Sequence, residues 1–257
     1  GSWVGLISRQ LEDQVEDLVV RVPGGELAVT RQFYTNGWSW IDMARHLSFT
    51  TDGAGISAIN VQLSSYMPAN VERTVFKARE NRIYKLADAF RWQNKDGEWE
   101  LFDLNGRMVS NGKRNLTLAN YIYDGSGRLI GVNDRNGRRV FTYEYTAGLC
   151  SAATDLTGRR VEYIWSGTRL TRVRTVLGLD ETYSYDGSGR ISSKTGINGE
   201  VLNITYDAGG YVTSTLDAHG NGFTYEFAYD ESRREYFAQF RSTGGQVDER
   251  RFDLTGE

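Results

Sequence analysis

The sequence predicts an all-β protein: a long curved antiparallel sheet of repeated β-hairpins, with a short helix near the N-terminus. Three observations lead there. The 257 residues include 29 glycines, only two prolines (Pro23 and Pro68) and 12% Tyr, Trp and Phe, a mix that supplies tight turns and aromatic strand faces. A short unit recurs about every 21 residues over more than half of the chain, the mark of a repeat architecture. Within each unit, apolar and polar residues alternate between two turn signals, as a hairpin requires.

Residues 5–18, GLISRQLEDQVEDL, place Leu6, Ile7, Leu11, Val15 and Leu18 near a 3.6-residue spacing with acidic residues between them. That spacing predicts the short amphipathic helix. The next stretch, LVVRVPGGELAVTRQFYTNGWSW, predicts two strands joined at Pro23-Gly24-Gly25, because β-branched and aromatic residues flank a turn-forming tripeptide. HLSFTTDGAGISAINVQL repeats the pattern around Asp52-Gly53, and RTVFKA, RIYKLA, AFRWQ and EWELF read as short strands. Residues 1–98 therefore form a β-rich lead-in, and residues 99–257 carry the repeats.

The repeats align on an aromatic opener at Phe102, Tyr123, Tyr145, Trp165, Tyr185, Tyr206 and Tyr229. The fullest copies are YDGSGRL at 123–129 and YDGSGRI at 185–191; a worn copy, YDAGGYV, follows at 206–212. The residues that define the motif are Tyr123, Asp124, Gly127 and Arg128, then Tyr185, Asp186, Gly189 and Arg190, then Tyr206 and Asp207. An aspartate at the start of a turn accepts hydrogen bonds from backbone N–H groups two or three residues on, and glycine takes positive φ without a Cβ clash. Arg107, Arg128 and Arg190 start the return strand, where each can pair with the aspartate of its own or of the neighbouring hairpin. The pairs Tyr121/Tyr123, Tyr143/Tyr145 and Tyr183/Tyr185 lie two residues apart and so share a sheet face, where stacking on the next pair is expected. These recurring residues are expected to be structural, since a residue that recurs with a turn serves the turn. About seven such units of two strands make a ribbon on the order of 65–70 Å wide, too wide to stay flat, with two edges that need covering or continuation.

The assembled motif, Tyr-Asp-x-x-Gly-Arg-Leu recurring about every 21 residues, resembles the YD repeats of the Rhs family over residues 99–235. EDLVVRVPGGELAVTRQFYTNGWSW is similar to the segment that precedes such repeats. The resemblance implies a β ribbon wound into a hollow shell, as in Tc toxin cocoons, Rhs effectors and the teneurins of animals. It implies two partners, the remainder of that shell and an enclosed C-terminal toxin domain, and a bacterial product that is secreted or delivered to the cell surface. The chain departs from the pattern in places: the units at 145 and 165 lack the aspartate, the one at 229 replaces Gly with Ser-Arg, and no proline follows Pro68 where the family's self-cleaving core is rich in Asp-Pro. The opening Gly1-Ser2 reads as an expression scar. A piece of shell wall is expected, cut from a longer protein.

Enzymatic chemistry finds little purchase. Thirty basic against 33 acidic residues leave a net charge of −3, which gives no electrostatic case for nucleic acid or an anionic membrane. No apolar run approaches the roughly 20 residues of a membrane-spanning helix. Cys150 is the single cysteine, expected as a small buried side chain rather than a disulfide or zinc ligand. His46 and His219 stand alone, and His219 lies in the turn DAHGNG, where exposure is expected. The GSGR tract is glycine-rich, but a phosphate cradle needs a helix to follow, and here a strand follows. Asp180-Glu181 and Asp248-Glu249 are adjacent carboxylates that nothing in the sequence brings to a glycosidase spacing. The sequons at Asn115 and Asn203 are coincidental in a bacterial protein. No catalytic, cofactor-binding or metal-binding residue is expected, and the chain reads as a non-enzymatic wall segment that acts by steric enclosure. The alternative is an adhesin-like module that binds carbohydrate or a cell surface through its aromatic ladders or through Phe33, Tyr34, Trp38 and Trp40.

Overall fold

The computed structural model describes residues 2–6, 8–34, 37–62 and 64–252. The fold is all-β, and the one helix among the described residues is a single turn, Ile41–Ala44. From Leu47–Asp52 to Val247–Phe252, 21 strands follow one another in antiparallel hairpin succession. The short strands expected between residues 71 and 102 form as Val75–Ala78, Asn81–Lys85, Phe90–Gln93 and Glu98–Phe102.

The chain divides into two compact units. One comprises residues 16–30 and 40–160; its core is built from one inward residue in two along successive strands, with Leu47, Ile59, Phe76, Ile83, Phe102 and Phe141 almost fully buried. The other comprises residues 1–15, 31–39 and 161–257. In it Val161, Leu170, Val173, Ile191 and Val212 form the apolar floor of the repeats, and Leu11 and Phe33 from the N-terminal segments are buried in the same unit.

Every repeat opener from 102 to 206 sits at a break in register. Ile122 pairs with Gly131 but Tyr123 pairs with Leu129, so Ile130 is an extra residue on the return strand. The same skip occurs beside Phe102, Tyr145, Trp165, Tyr185 and Tyr206. Each is a β-bulge, which bends its strand and increases the local twist. The hairpin Gly222–Asp230/Glu235–Ser242, which carries the opener Tyr229, runs through without any skip.

The helix expected over residues 5–18 does not form. Leu11–Val22 is a twelve-residue strand, antiparallel at its start to Ser2–Val4; Ile7 lies outside the described residues. The buried positions explain the misreading. Leu11 and Asp13 are buried at one end and Leu18, Val20 and Val22 at the other, so the inward face changes parity partway along the strand. An aspartate occupies one inward position, and the remaining apolar residues mimic helical spacing. The later run Leu-Val-Val-Arg-Val has the β-branched residues that crowd a helix and suit a strand.

Candidate functional site in the repeated corner

The corner at Asp124 shows how the motif works. Asp124 donates its N–H to the Arg128 carbonyl (2.9 Å) and accepts from the Gly127 N–H (2.9 Å), closing a tight turn. Gly127 lies at φ +80°, a conformation that a Cβ disfavours. The carboxylate then fills the loop: Oδ1 accepts from the N–H groups of Ser126 (2.9 Å) and Arg128 (3.0 Å), and Oδ2 from Arg128 Nε (2.8 Å) and Nη2 (2.7 Å). Asp186 repeats this with Ser188 N (2.9 Å), Arg190 N (3.0 Å) and Arg190 Nε (2.7 Å), around Gly189 at φ +85°. At Asp207 the fifth residue is Tyr211, whose N–H donates to the carboxylate at 2.9 Å. The arginine thus pairs with the aspartate of its own turn, the first of the two arrangements that the sequence left open.

These bonds hold the Asp124 and Asp186 carboxyls below the ordinary range. At Asp124 the Arg128 N–H and then the Arg128 side chain are the chief causes. At Asp186 desolvation works the other way and is outweighed by the hydrogen bonds from Arg190 and Ser188.

Each arginine also reaches forward. The guanidinium of Arg107 lies over the Tyr123 ring (5.4 Å to the centroid), Arg128 over Tyr145 (5.1 Å), Arg169 over Tyr185 (5.6 Å) and Arg190 over Tyr206 (4.4 Å). The same tyrosines donate their hydroxyls to a backbone carbonyl at the preceding bulge: Tyr123 to Met108 (2.8 Å), Tyr145 to Leu129 (2.7 Å), Tyr185 to Leu170 (2.6 Å) and Tyr206 to Ile191 (2.8 Å). The accepting residue is in each case the strand partner of the previous opener. These four tyrosine openers are therefore each held by the repeat before, through a cation–π contact and a hydrogen bond to a carbonyl at the irregular point of the ladder. Desolvation raises the phenol pKa of Tyr145, Tyr185 and Tyr206, so these hydroxyls remain donors. Rows of tyrosine stacked on tyrosine were expected; the ties found between openers run through arginine. The inner members of the pairs, Tyr121, Tyr143 and Tyr183, are buried core.

The second turn of the repeat, expected from the sequence only as a turn, carries the same corner chemistry. Asp134 accepts from Asn136 N (2.9 Å), Arg138 N (3.0 Å) and Arg138 Nε (3.2 Å), and Asp155 from Thr157 N (2.8 Å), Arg159 N (3.0 Å) and Arg159 Nε (2.6 Å). The repeat is thus two half-units that share one corner chemistry, and Asp-x-x-Gly-Arg at 134–138 and 155–159 was the signal for it. The missing aspartates at 145 and 165 also have a cause. Thr146 pairs directly with Leu149 across Ala147 (φ +50°) and Gly148 (φ +82°), and Ser166 pairs directly with Arg169. A two-residue turn leaves no loop for a carboxylate to fill.

The other concentration of charge is buried. Arg31 lies 1% exposed and pairs with Glu181, which is itself bonded by the Tyr183 hydroxyl (2.8 Å). Lys194 bridges Glu181 (3.0 Å) and Asp13 (2.8 Å). The Arg31 guanidinium stands over Trp38 (5.2 Å), and the Trp38 indole N–H donates to the Tyr185 hydroxyl at 2.9 Å. Burial pushes the Glu181 carboxyl up, but Arg31 and Lys194 prevail and hold it below the ordinary range. Two cations and two carboxylates balance, so the cluster fastens the N-terminal segments of this unit to its repeat strands. Nothing in the sequence joins residues some 150 positions apart. A charged residue at an inward strand position was the one available hint.

The remaining candidates fall into place. Cys150 is buried, and desolvation pushes its thiol up to about 12, which makes it a packing residue. His46 and His219 are both exposed. Asp180 is tied to Arg174 (2.9 Å), and Asp248 and Glu249 to Arg250 (3.4 Å) and Arg251 (2.8 Å). No group of three or more His, Cys, Asp or Glu among the described residues is placed to hold a metal ion, and no helix among them is long and apolar enough to cross a membrane. Of the aromatic segment at 33–40, Phe33 and Trp40 are buried and Tyr34 is 40% exposed.

No family profile matches the chain. Over 105 residues it is 30% identical to double-stranded DNA deaminase toxin A of Burkholderia cenocepacia (strain H111), a match that covers 39% of this chain and 7% of that protein. Among solved structures it is similar to one of TcdB2-TccC3-Cdc42, with 12% identity, 95% of this chain and 14% of the other covered, and a TM-score of 0.42. A structure of TcdB2-TccC3 without its hypervariable C-terminal region matches with 12% identity, 93% and 14% coverage, and a TM-score of 0.41. The chain spans a small part of the length of each of these proteins.

Proposed function

We propose that this chain is a non-enzymatic wall segment of a Rhs/YD-repeat shell in a bacterial toxin, whose work is to enclose a toxin domain carried by the same larger protein. The observation that carries the reading is the tie between successive openers: arginine over the next tyrosine, and that tyrosine's hydroxyl on the preceding bulge. Such coupling makes a wall of hairpins resist local opening, because each repeat borrows contacts from its neighbour. The motif residues Tyr123, Asp124, Gly127, Arg128, Tyr185, Asp186, Gly189, Arg190, Tyr206 and Asp207 are structural in this reading and none takes part in bond-making. Similarity to part of a bacterial toxin supports the same role. The partners are the rest of the shell and its cargo, the protein is secreted or delivered to the cell surface, and this segment contacts neither nucleic acid nor the membrane interior.

The test uses the complete parent polypeptide under limited proteolysis. With the wall intact, the toxin domain should survive a protease dose that digests the same domain expressed alone. Arg128→Ala with Arg190→Ala should shorten that survival. Equal digestion of the enclosed and the free domain would sink the reading.

A further inference from the structure

Among the described residues the forward ties between openers stop at Tyr206. The corner at Asp207 places Tyr211 where the fullest corners place arginine, so it sends no guanidinium toward the hairpin Gly222–Asp230/Glu235–Ser242. One comes instead from the N-terminal segment of the same unit. The guanidinium of Arg9 stands over the rings of Tyr211 (5.0 Å to the centroid), Tyr236 (5.4 Å) and Phe227 (5.9 Å). No carboxylate among the described residues pairs with it, whereas Arg107, Arg128 and Arg190 each also pair with an aspartate. The charged group of Arg9 is thus held by aromatic faces, surroundings that select a weakly hydrated cation.

The backbone delivers that side chain. Arg9 takes φ +57°, which a residue with a side chain adopts at a cost and keeps only where its surroundings hold it. The holding bonds are present: the Arg9 N–H donates to the Gly5 carbonyl (2.7 Å), the Gly5 N–H to the Gln10 carbonyl (3.0 Å), and the Val212 N–H to the Arg9 carbonyl (2.9 Å). Val212 is the strand partner of the opener Tyr206. The turn that carries Arg9 is therefore seated on the last bulge of the run.

We propose that Tyr211, Phe227 and Tyr236 form an aromatic cage for guanidinium and quaternary ammonium groups, and that Arg9 is its resident ligand. Filled by Arg9, the cage fastens the hairpin without a bulge to the end of the bulged run. Emptied, it accepts a soluble cation of the same class. The tether gives Arg9 a high effective concentration, so a soluble cation takes the cage only where the Arg9 side chain is gone. The proposal stands whether or not the wall encloses a toxin.

Hydrogen exchange of the full chain, read by mass spectrometry, tests it. Arg9→Ala should speed exchange in residues 222–242 about tenfold or more and leave residues 102–135, in the other unit, at the parent's rate. Arg9→Lys, which keeps a cation, should fall between the two. Methylguanidinium or tetramethylammonium at about 20 mM should slow exchange in Arg9→Ala toward the parent's rate, while N-methylurea, neutral and of similar shape, should not. Adding Phe227→Leu to Arg9→Ala should abolish that rescue. The proposal fails if Arg9→Ala exchanges like the parent, if N-methylurea rescues as well as the cations, or if neither cation slows exchange. Should Arg9→Ala not fold, Phe227→Leu alone must loosen residues 222–242, and exchange there at the parent's rate overturns the proposal.

Discussion

The repeated corners and the buried cluster both join arginine to a carboxylate, but they do so in opposite surroundings. Arg128 and Asp124 meet at the surface, with the arginine side chain 44% exposed; Arg31 and Glu181 meet with 1% and 9% of their side chains exposed. A surface pair contributes little on its own, so the corner gains its strength from repetition and from the second use of each arginine on the next tyrosine. A buried pair costs desolvation to form and is dangerous to break, and here it fixes which strands of its unit the N-terminal segments meet. The repeats rest on many weak ties, whereas residues 1–15 and 31–39 are fastened to the repeat strands of their unit by a buried and costly one.

The largest effect should come from breaking the buried cluster on one side. Glu181→Ala removes the carboxylate that Arg31 and Lys194 share in the interior and should cost about 3–5 kcal/mol, measured by urea unfolding. Replacing both partners, with Arg31→Met and Glu181→Leu, leaves Lys194 and Asp13 balanced and should cost clearly less than Glu181→Ala alone. If the single and double variants are equally destabilised, the cluster is not acting as a pair.

Next in size is the loss of one opener hydroxyl. Tyr206→Phe removes the donor to the Ile191 carbonyl and should cost about 1 kcal/mol, whereas Tyr229→Phe, at an exposed opener in the hairpin without a bulge, should stay within about 0.5 kcal/mol. Equal effects would remove the distinction between the bulged run and the last hairpins.

Acid provides a smaller and graded test. Asp124 and Asp186 have folded-state pKa values below the ordinary carboxylate value. Each therefore contributes stability that is present above the unfolded value near ~4 and is lost as pH falls through the folded one. Asp124→Asn with Asp186→Asn should lower stability at neutral pH and make its decline below about pH 4 shallower, followed by unfolding across a pH series.

What was legible in the sequence divides along the same line. Turns are local, so Tyr-Asp-x-x-Gly-Arg gave away the hairpins and the glycines at positive φ. The half-period corners at Asp134 and Asp155 are equally local: they were legible as turns, and the spelling Asp-x-x-Gly-Arg at 134–138 and 155–159 carries their chemistry as well. Leu11–Val22 was misread because its inward face changes parity and includes Asp13. The charge cluster had no local signal at all, since Asp13, Arg31, Glu181 and Lys194 become neighbours only when the strands assemble. The forward contact from Arg190 to Tyr206 lay between the two cases: the spacing fixed both residues, but only the bulge explains why the tyrosine hydroxyl turns back to a carbonyl.

The central claim is that the tyrosine openers of the bulged run are each energetically coupled to the repeat before, and a double-mutant cycle between Arg190→Ala and Tyr206→Leu measures it directly. The two residues belong to successive repeats and are in contact at 4.4 Å. The account predicts a coupling energy of about 0.5 kcal/mol or more, so that the double variant loses less stability than the two single losses combined. Strict additivity of the two losses would contradict it.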